Sequence, residues 1–182
     1  FSRCLERLGV EVLDTDDVAH GLLAPQGEAV DDVRRAFGER VVASDGGIDR
    51  GALGELVFSD SEARRRLDAL VHPRIRSAVE RWLASDGGAK VKAVTIPLLF
   101  EAGWDEGWDV VVCVAASEAV QVQRLMRDRG LSESQARARV DAQMPVAEKA
   151  ARSHLVVRND AGAEALESEA ERVFRVLMER SE

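Results

Sequence analysis

Tyrosine is absent, and eight aromatic residues in all, five Phe and three Trp, make up 4% of the 182-residue chain. The core must therefore be built from Val, Leu, Ile and Ala. Two cysteines, Cys4 and Cys113, are too few for a disulfide framework, and neither stands at metal-ligand spacing. No apolar run is long enough to span a membrane; the longest, VVVCVAA, has the length of a strand. No signal peptide is visible, and a reducing, cytoplasmic setting is expected. Only three of the 25 basic residues are lysines, Lys90, Lys92 and Lys149. A formal net charge of −8 argues against a general nucleic-acid or membrane-surface binder. It leaves room for a polyphosphate ligand, which local clusters of Arg would hold.

What is present falls into two textures. Apolar residues at 1, 4, 5 and 8 predict a helix stopped by Gly9, followed by a short strand over VEVLD (10–14). From there to residue 86 the pattern is helical. A helix capped by Asp16 or Asp17 runs to about Leu23, and one over 28–37 places Val30, Val33 and Phe37 on one face before Gly38. Asp49 caps a helix ending near Phe58, Ser61 caps another reaching Val71, and His72-Pro73 begins a third, closed by SDGG. VKAVTIP (91–97) and DVVVCVAA (109–116) then read as strands covered on both faces, as in a parallel sheet flanked by helices. Ser117 opens a helix to Arg129 with Gly130 as its stop, SESQ (132–135) forms a capping box opening another, HLVVRN (154–159) is a strand, and a last helix occupies about 163–180. The order predicts an open α/β fold with a helical excursion and a short helical hairpin, its ligands beyond the carboxyl ends of the strands.

Four stretches carry groups able to do chemistry. In LDTDD, Asp14, Asp16 and Asp17 follow a strand; a carboxylate there can take a proton from an alcohol or help hold a hydrated Mg²⁺, and equally can cap a helix. VHPRIR sets His72 beside Arg74 and Arg76, which suits an anionic ligand or a solvated basic turn. In IPLLFEAGW, Leu98, Leu99 and Phe100 can wall a pocket and Glu101 can orient a hydroxyl or amine, or the segment is a strand exit with core leucines. QRLMRDRG brings Arg124 and Arg127 onto one helix face with Arg129 beyond, and Arg137 and Arg139 on the next helix. That is a phosphate-clamping lid or a solvated hairpin. His20 and His154 read as structural or surface residues.

The blocks VLDTDDVAH, DGGIDRGALGELVF, HPRI, PLLFE and QMPVAEKAARSHLVVRNDAG, in that order from about residue 9 to 162, resemble the dephospho-coenzyme A kinases. The resemblance implies a P-loop-kinase-like parallel sheet flanked by helices. Residues 1–16 and 88–182 would form the α/β core, with a lid at about 124–143, and 17–87 a helical coenzyme-binding insertion. It implies ATP-dependent phosphorylation of the ribose 3′-hydroxyl of dephospho-coenzyme A, with Mg²⁺. Asp16 would be the base with Asp14 beside it. Arg50 and His72 would serve the coenzyme-binding region, and Leu98, Leu99 and Glu101 the pocket. Arg124 with Arg127 or Arg129 would be the lid, and Asn159 would lie near the adenine. Such kinases begin with a strand and a loop G-x-x-x-x-G-K-[ST], expected directly before Phe1; without it the chain alone is expected to be a very poor kinase with a gap in its sheet. Two positions depart from the family pattern: His154 stands where Asp is usual, and Asp128 where a lid Arg often sits. A non-catalytic module binding a coenzyme-A-like ligand and a related kinase with another acceptor are the competing readings.

Overall fold

The computed structural model describes residues 1–180. The described chain divides into two compact units, one formed by residues 1–12 with those from 89 onward and the other by residues 13–88. In chain order the elements are α1 (Ser2–Arg7), β1 (Glu11–Asp14), α2 (Thr15–Leu23), α3 (Val30–Phe37), a 3₁₀ turn (Glu39–Val41), α4 (Arg50–Ser59), α5 (Ser61–Ala84), β2 (Lys92–Thr95), β3 (Val112–Ala115), α6 (Glu118–Arg129), α7 (Glu133–Asp141), α8 (Val146–Ala151), β4 (Leu155–Arg158) and α9 (Ala163–Arg180).

In the first unit, β3 and β4 pair in parallel, with Val112 opposite Leu155 and Ala115 opposite Arg158. β1 and β2 form a second two-stranded sheet. Leu5, Val10 and Ala170 make a core packed by Phe1, Val12, Val91, Ala93 and Phe174, so α1 and α9 meet over the apolar side of β1 and the start of β2. The strands are less covered than their unbroken apolar runs predict. Every residue of β2 is half-buried and Val114 of β3 is 41% exposed, because each sheet is only two strands wide. α6 ends on Gly130, whose φ of 64° is a left-handed cap that any side chain would disfavour. Ser132 and Gln135 then close a reciprocal capping box that starts α7. The six-residue α8, which the helical spacing did not reveal, starts directly after Pro145.

In the second unit, α5 is the spine on which α2, α3 and α4 pack. Val30, Val33 and Phe37 of α3 are all buried, together with Leu22, Val41, Ile48, Leu53 and Val71. Asp49 caps α4 as its position predicts, accepting from the amides of Gly51 and Ala52. Two expectations need correcting. Asp60 caps α5 rather than Ser61, which is the helix's first residue. No new helix begins at His72-Pro73 either: α5 runs unbroken for 24 residues with Pro73 inside it. Proline lacks the N–H that would reach the Ala69 carbonyl and crowds the preceding turn. The next carbonyl, that of Leu70, receives the Arg74 guanidinium at 2.6 Å, and the same side chain pairs with Asp32 of α3. The helix therefore crosses its proline with a side-chain donor at the disturbed turn and a long packed face on either side.

Candidate functional site

The candidate residues divide between the two units. In the helical unit, β1 delivers the chain into α2 at the acidic cluster. Asp14, not Asp16 or Asp17, is the N-cap: its Oδ1 accepts the Asp16 amide at 2.9 Å. The cap satisfies one of the donors that a helix start leaves open. Asp16 and Asp17 are thereby released from capping and stand in the first turn of α2 with exposed side chains. Thr15, between Asp14 and Asp16, is buried. Capping and an available carboxylate thus coexist among the three acids of residues 14–17, with the capping task on the first. Arg50 is the first residue of α4 and is exposed. His72 borders an open groove of about 360 Å³ with Asp68, Ala69, Pro73 and Arg76, and its Nε2 lies 3.6 Å from Asp68. No hydrogen bond or ion pair joins Arg50 to His72 among the described residues.

In the α/β unit the structure brings Arg124 and Asn159 together. Arg124 of α6 donates to the Asn159 carbonyl at 2.8 Å and to its side-chain oxygen at 3.3 Å, so the loop after β4 is tied to the helix after β3. Beside this contact Asp160 accepts the Ser117 amide at 2.6 Å. That hydrogen bond, with one from the Ser117 hydroxyl, holds the Asp160 carboxyl below the usual carboxylate range. Arg124 and Arg127 engage different partners. Arg127 folds onto the neighbouring Asp128 at 2.6 Å, which lowers the Asp128 carboxyl and raises the guanidinium. Arg137 is held by Glu133 and Glu118, whereas Arg129 forms no ion pair among the described residues.

The segment after β2 forms a tight turn, with the amides of Ala102, Gly103 and Trp104 bonded to the carbonyls of Leu98, Phe100 and Leu99. Leu98 is 37% exposed while Phe100 is buried. Glu101, expected in a pocket, is engaged: its Oε1 receives Lys149 Nζ at 2.7 Å and the Met144 amide at 3.1 Å. Burial pushes this carboxyl upward, but the Lys149 ammonium and the backbone amides of Glu101 and Met144 outweigh it and hold the group below its ordinary value. Arg152 pairs with Asp105 at 2.6 Å and stacks over the Phe100 ring at 4.6 Å. Spacing alone gave no sign of Lys149, Asp105, Arg152 or Asp160, whose partners are far along the chain. Lys149, Arg152 and Asp160 do lie within the block QMPVAEKAARSHLVVRNDAG, which carried the family resemblance without giving them roles. Among the described residues no group of three or more His, Cys, Asp or Glu is arranged to hold a metal ion.

A parallel β3–β4 pair flanked by helices, with an arginine-bearing hairpin after β3, makes this an α/β protein of the P-loop-kinase-like kind. The family described as dephospho-CoA kinase matches residues 1–165, and the chain belongs to that family. Among curated relatives, the dephospho-CoA kinase of Geobacter sulfurreducens is 43% identical over 95% of this chain and 89% of its own length. That of Anaeromyxobacter dehalogenans is 42% identical over 96% and 83%. The crystal structure of TT1252 from Thermus thermophilus superposes with a TM-score of 0.82 at 35% identity, covering 98% of this chain and 88% of that one. Dephospho-CoA kinase from Campylobacter jejuni gives 0.71 at 27% identity, covering 97% and 89%.

Proposed function

We propose that this protein transfers the γ-phosphoryl group of ATP to the ribose 3′-hydroxyl of dephospho-coenzyme A, yielding coenzyme A and ADP, the last step of coenzyme A synthesis. The observation that carries the reading is the family match over residues 1–165, with relatives of that name 43% and 42% identical over 89% and 83% of their length. Asp16 takes the proton of the attacking hydroxyl, since α2 presents its carboxylate unencumbered by the cap; Asp14 holds the helix start beside it. Arg50 and His72 bind the coenzyme, and the helical insertion of residues 17–87 is its binding region. Leu98 and Leu99 wall the acceptor pocket, and Glu101 anchors that wall. Arg124, with Arg127 or Arg129, neutralises charge on the phosphoryl group in flight, and residues 124–143 act as the lid. Asn159 lies by the nucleotide base. Asp16 or Asp17, exposed at the start of α2, would be able to help hold a hydrated Mg²⁺ beside the phosphates of ATP, where the ion would neutralise phosphate charge. A cytoplasmic location fits two free cysteines and these soluble substrates.

The test is a coupled ADP-release assay on the full-length gene product with dephospho-coenzyme A, adenosine monophosphate and other nucleoside monophosphates as acceptors. Turnover with dephospho-coenzyme A, and a product whose new phosphate resonance is that of a 3′-monoester, is the expected result. Turnover of nucleoside monophosphates without turnover of dephospho-coenzyme A overturns it.

A further inference from the structure

We propose that Lys149 is a positioning residue for the acceptor: its ammonium, seated on Glu101, fixes the turn that carries Leu98 and Leu99 against the chain segment leaving the α6–α7 hairpin. The proposal rests on the kinase reading above and on the place given there to Leu98 and Leu99.

Many ion pairs among the described residues join side chains that are both more than half exposed, such as Arg7–Glu167 and Arg137–Glu133, and pairs of that kind contribute little. Lys149–Glu101 is the most sheltered of those described, with side chains 15% and 24% exposed and a separation of 2.7 Å. Water screens such a pair far less, and an unpaired charge left there is costly. The same carboxylate oxygen accepts the Met144 amide, so one Glu101 atom gathers two points of the 144–149 segment. A second attachment runs parallel to the first. Arg152 reaches Asp105 at 2.6 Å, lies over Phe100 and touches the Met144 sulfur at 3.9 Å. Phe100 and Glu101 thus hold the inner side of the turn, while Leu98 remains on its outer, exposed side.

Residues 144–149 follow shortly after α7, the second helix of the hairpin. A turn that presents apolar side chains to a ligand must be held to a fraction of an ångström to bind it well, and small misplacements cost much. The Lys149–Glu101 pair supplies that hold and joins the acceptor wall to the hairpin's exit. A lysine suits the place: a single ammonium approaches one oxygen end-on, where the planar fork of an arginine demands two acceptors and more width.

The test is steady-state kinetics of the full-length protein and its Lys149→Met, Lys149→Arg and Glu101→Gln variants, with thermal unfolding measured alongside. Lys149→Met is expected to raise the KM for dephospho-coenzyme A roughly tenfold while the KM for ATP stays within about twofold. Lys149→Arg should recover part of the loss. Glu101→Gln, which keeps an acceptor for the Met144 amide, should raise the same KM about threefold. A merely structural pair would lower the unfolding midpoint without separating the two KM values, and that outcome overturns the proposal. Should Lys149→Met fail to fold, Glu101→Gln decides: an unchanged acceptor KM in a folded Glu101→Gln protein overturns it equally. Absence of dephospho-coenzyme A turnover by the unsubstituted protein removes the functional reading and this proposal with it. Normal turnover with unaltered acceptor KM in the variants removes this proposal alone.

Discussion

The Nδ1 atom of His154 accepts the backbone N–H of Val111 at 2.9 Å, and the backbone N–H of His154 donates to the Val111 carbonyl at 2.9 Å. This two-way clip sets the first rung of the β3–β4 pairing, which begins one residue later at Val112 and Leu155. It also accounts for the departure from the family pattern at this position. An aspartate carboxylate accepts the same backbone donor, and the imidazole does so with its proton on Nε2. His154→Asp is therefore expected to leave stability within about 0.5 kcal/mol, whereas His154→Leu, which strands the Val111 amide, costs about 1–2 kcal/mol. Urea unfolding of the three proteins measures this; a leucine variant as stable as the parent would dismiss the clip.

Local signals carried most of the fold and little of the site. The stripe of Val30, Val33 and Phe37, the Asp49 cap, the Ser132–Gln135 capping box and the Gly130 stop are all decided within a few residues, and each is found where its spacing places it. Pro73 misled for the same reason. Proline favours a helix start by a local rule, but the continuation of α5 is decided by packing against α2, α3 and α4 and by a guanidinium from the following residue. Arg124 meets Asn159 across 35 positions of chain, and Glu101 meets Lys149 across more. No periodicity encodes such pairs, because they exist only once the strands are paired.

Pro73 leads to a stability prediction with an internal control. Replacing it by alanine restores the missing donor and removes the crowding, and is expected to add about 1–3 kcal/mol. The Arg74→Met substitution should then cost less in the Pro73→Ala background than in the parent, since without the ring's crowding the Arg74 backbone N–H can serve the Leu70 carbonyl by itself. A thermodynamic cycle over the two positions reads the coupling, expected at roughly 0.5–1 kcal/mol. A coupling of zero would show that Arg74 serves only its pair with Asp32.

The loop between α2 and α3 holds a strained residue next to a glycine that admits no side chain. Gln26 has a φ of 67°, and a Cβ on Gly27 would lie 2.3 Å from the Leu22 carbonyl oxygen. Gln26→Gly removes the left-handed penalty and should stabilise by about 1 kcal/mol. Gly27→Ala forces backbone to move and should destabilise by about 2 kcal/mol or more. Denaturant midpoints that shift the same way for both substitutions would contradict this account.

The lowered carboxyl of Glu101 gives a pH dependence of definite sign. Folding depresses its pKa, so its contribution to stability is complete above the unfolded value of about 4.3 and is lost as pH falls through the folded value. The stability difference between the parent and Lys149→Met should thus be constant from neutral pH down to about pH 5 and shrink below that, as protonation dissolves the pair. Urea midpoints of both proteins from pH 3 to 7 provide the comparison. A difference that persists unchanged to pH 3 would mean that the ion pair contributes nothing to it.

The two carboxylates at the entrance of α2 should separate in their effects. Asp14 accepts a backbone amide, a task that asparagine also performs, so Asp14→Asn is expected to keep the fold, while Asp14→Ala loses the cap and about 1 kcal/mol. Asp16 bears no capping duty, so its removal leaves stability nearly unchanged and acts on chemistry. With Asp16 as the base, Asp16→Asn lowers kcat by about 10²–10⁴ and leaves the KM values for both substrates within a few-fold, because an amide retains the size and hydrogen-bonding reach of the carboxylate but cannot accept the proton. Steady-state kinetics on the folded variant settles the matter: unchanged kcat excludes Asp16 from the proton transfer, and a rise in KM with kcat preserved reassigns it to substrate binding.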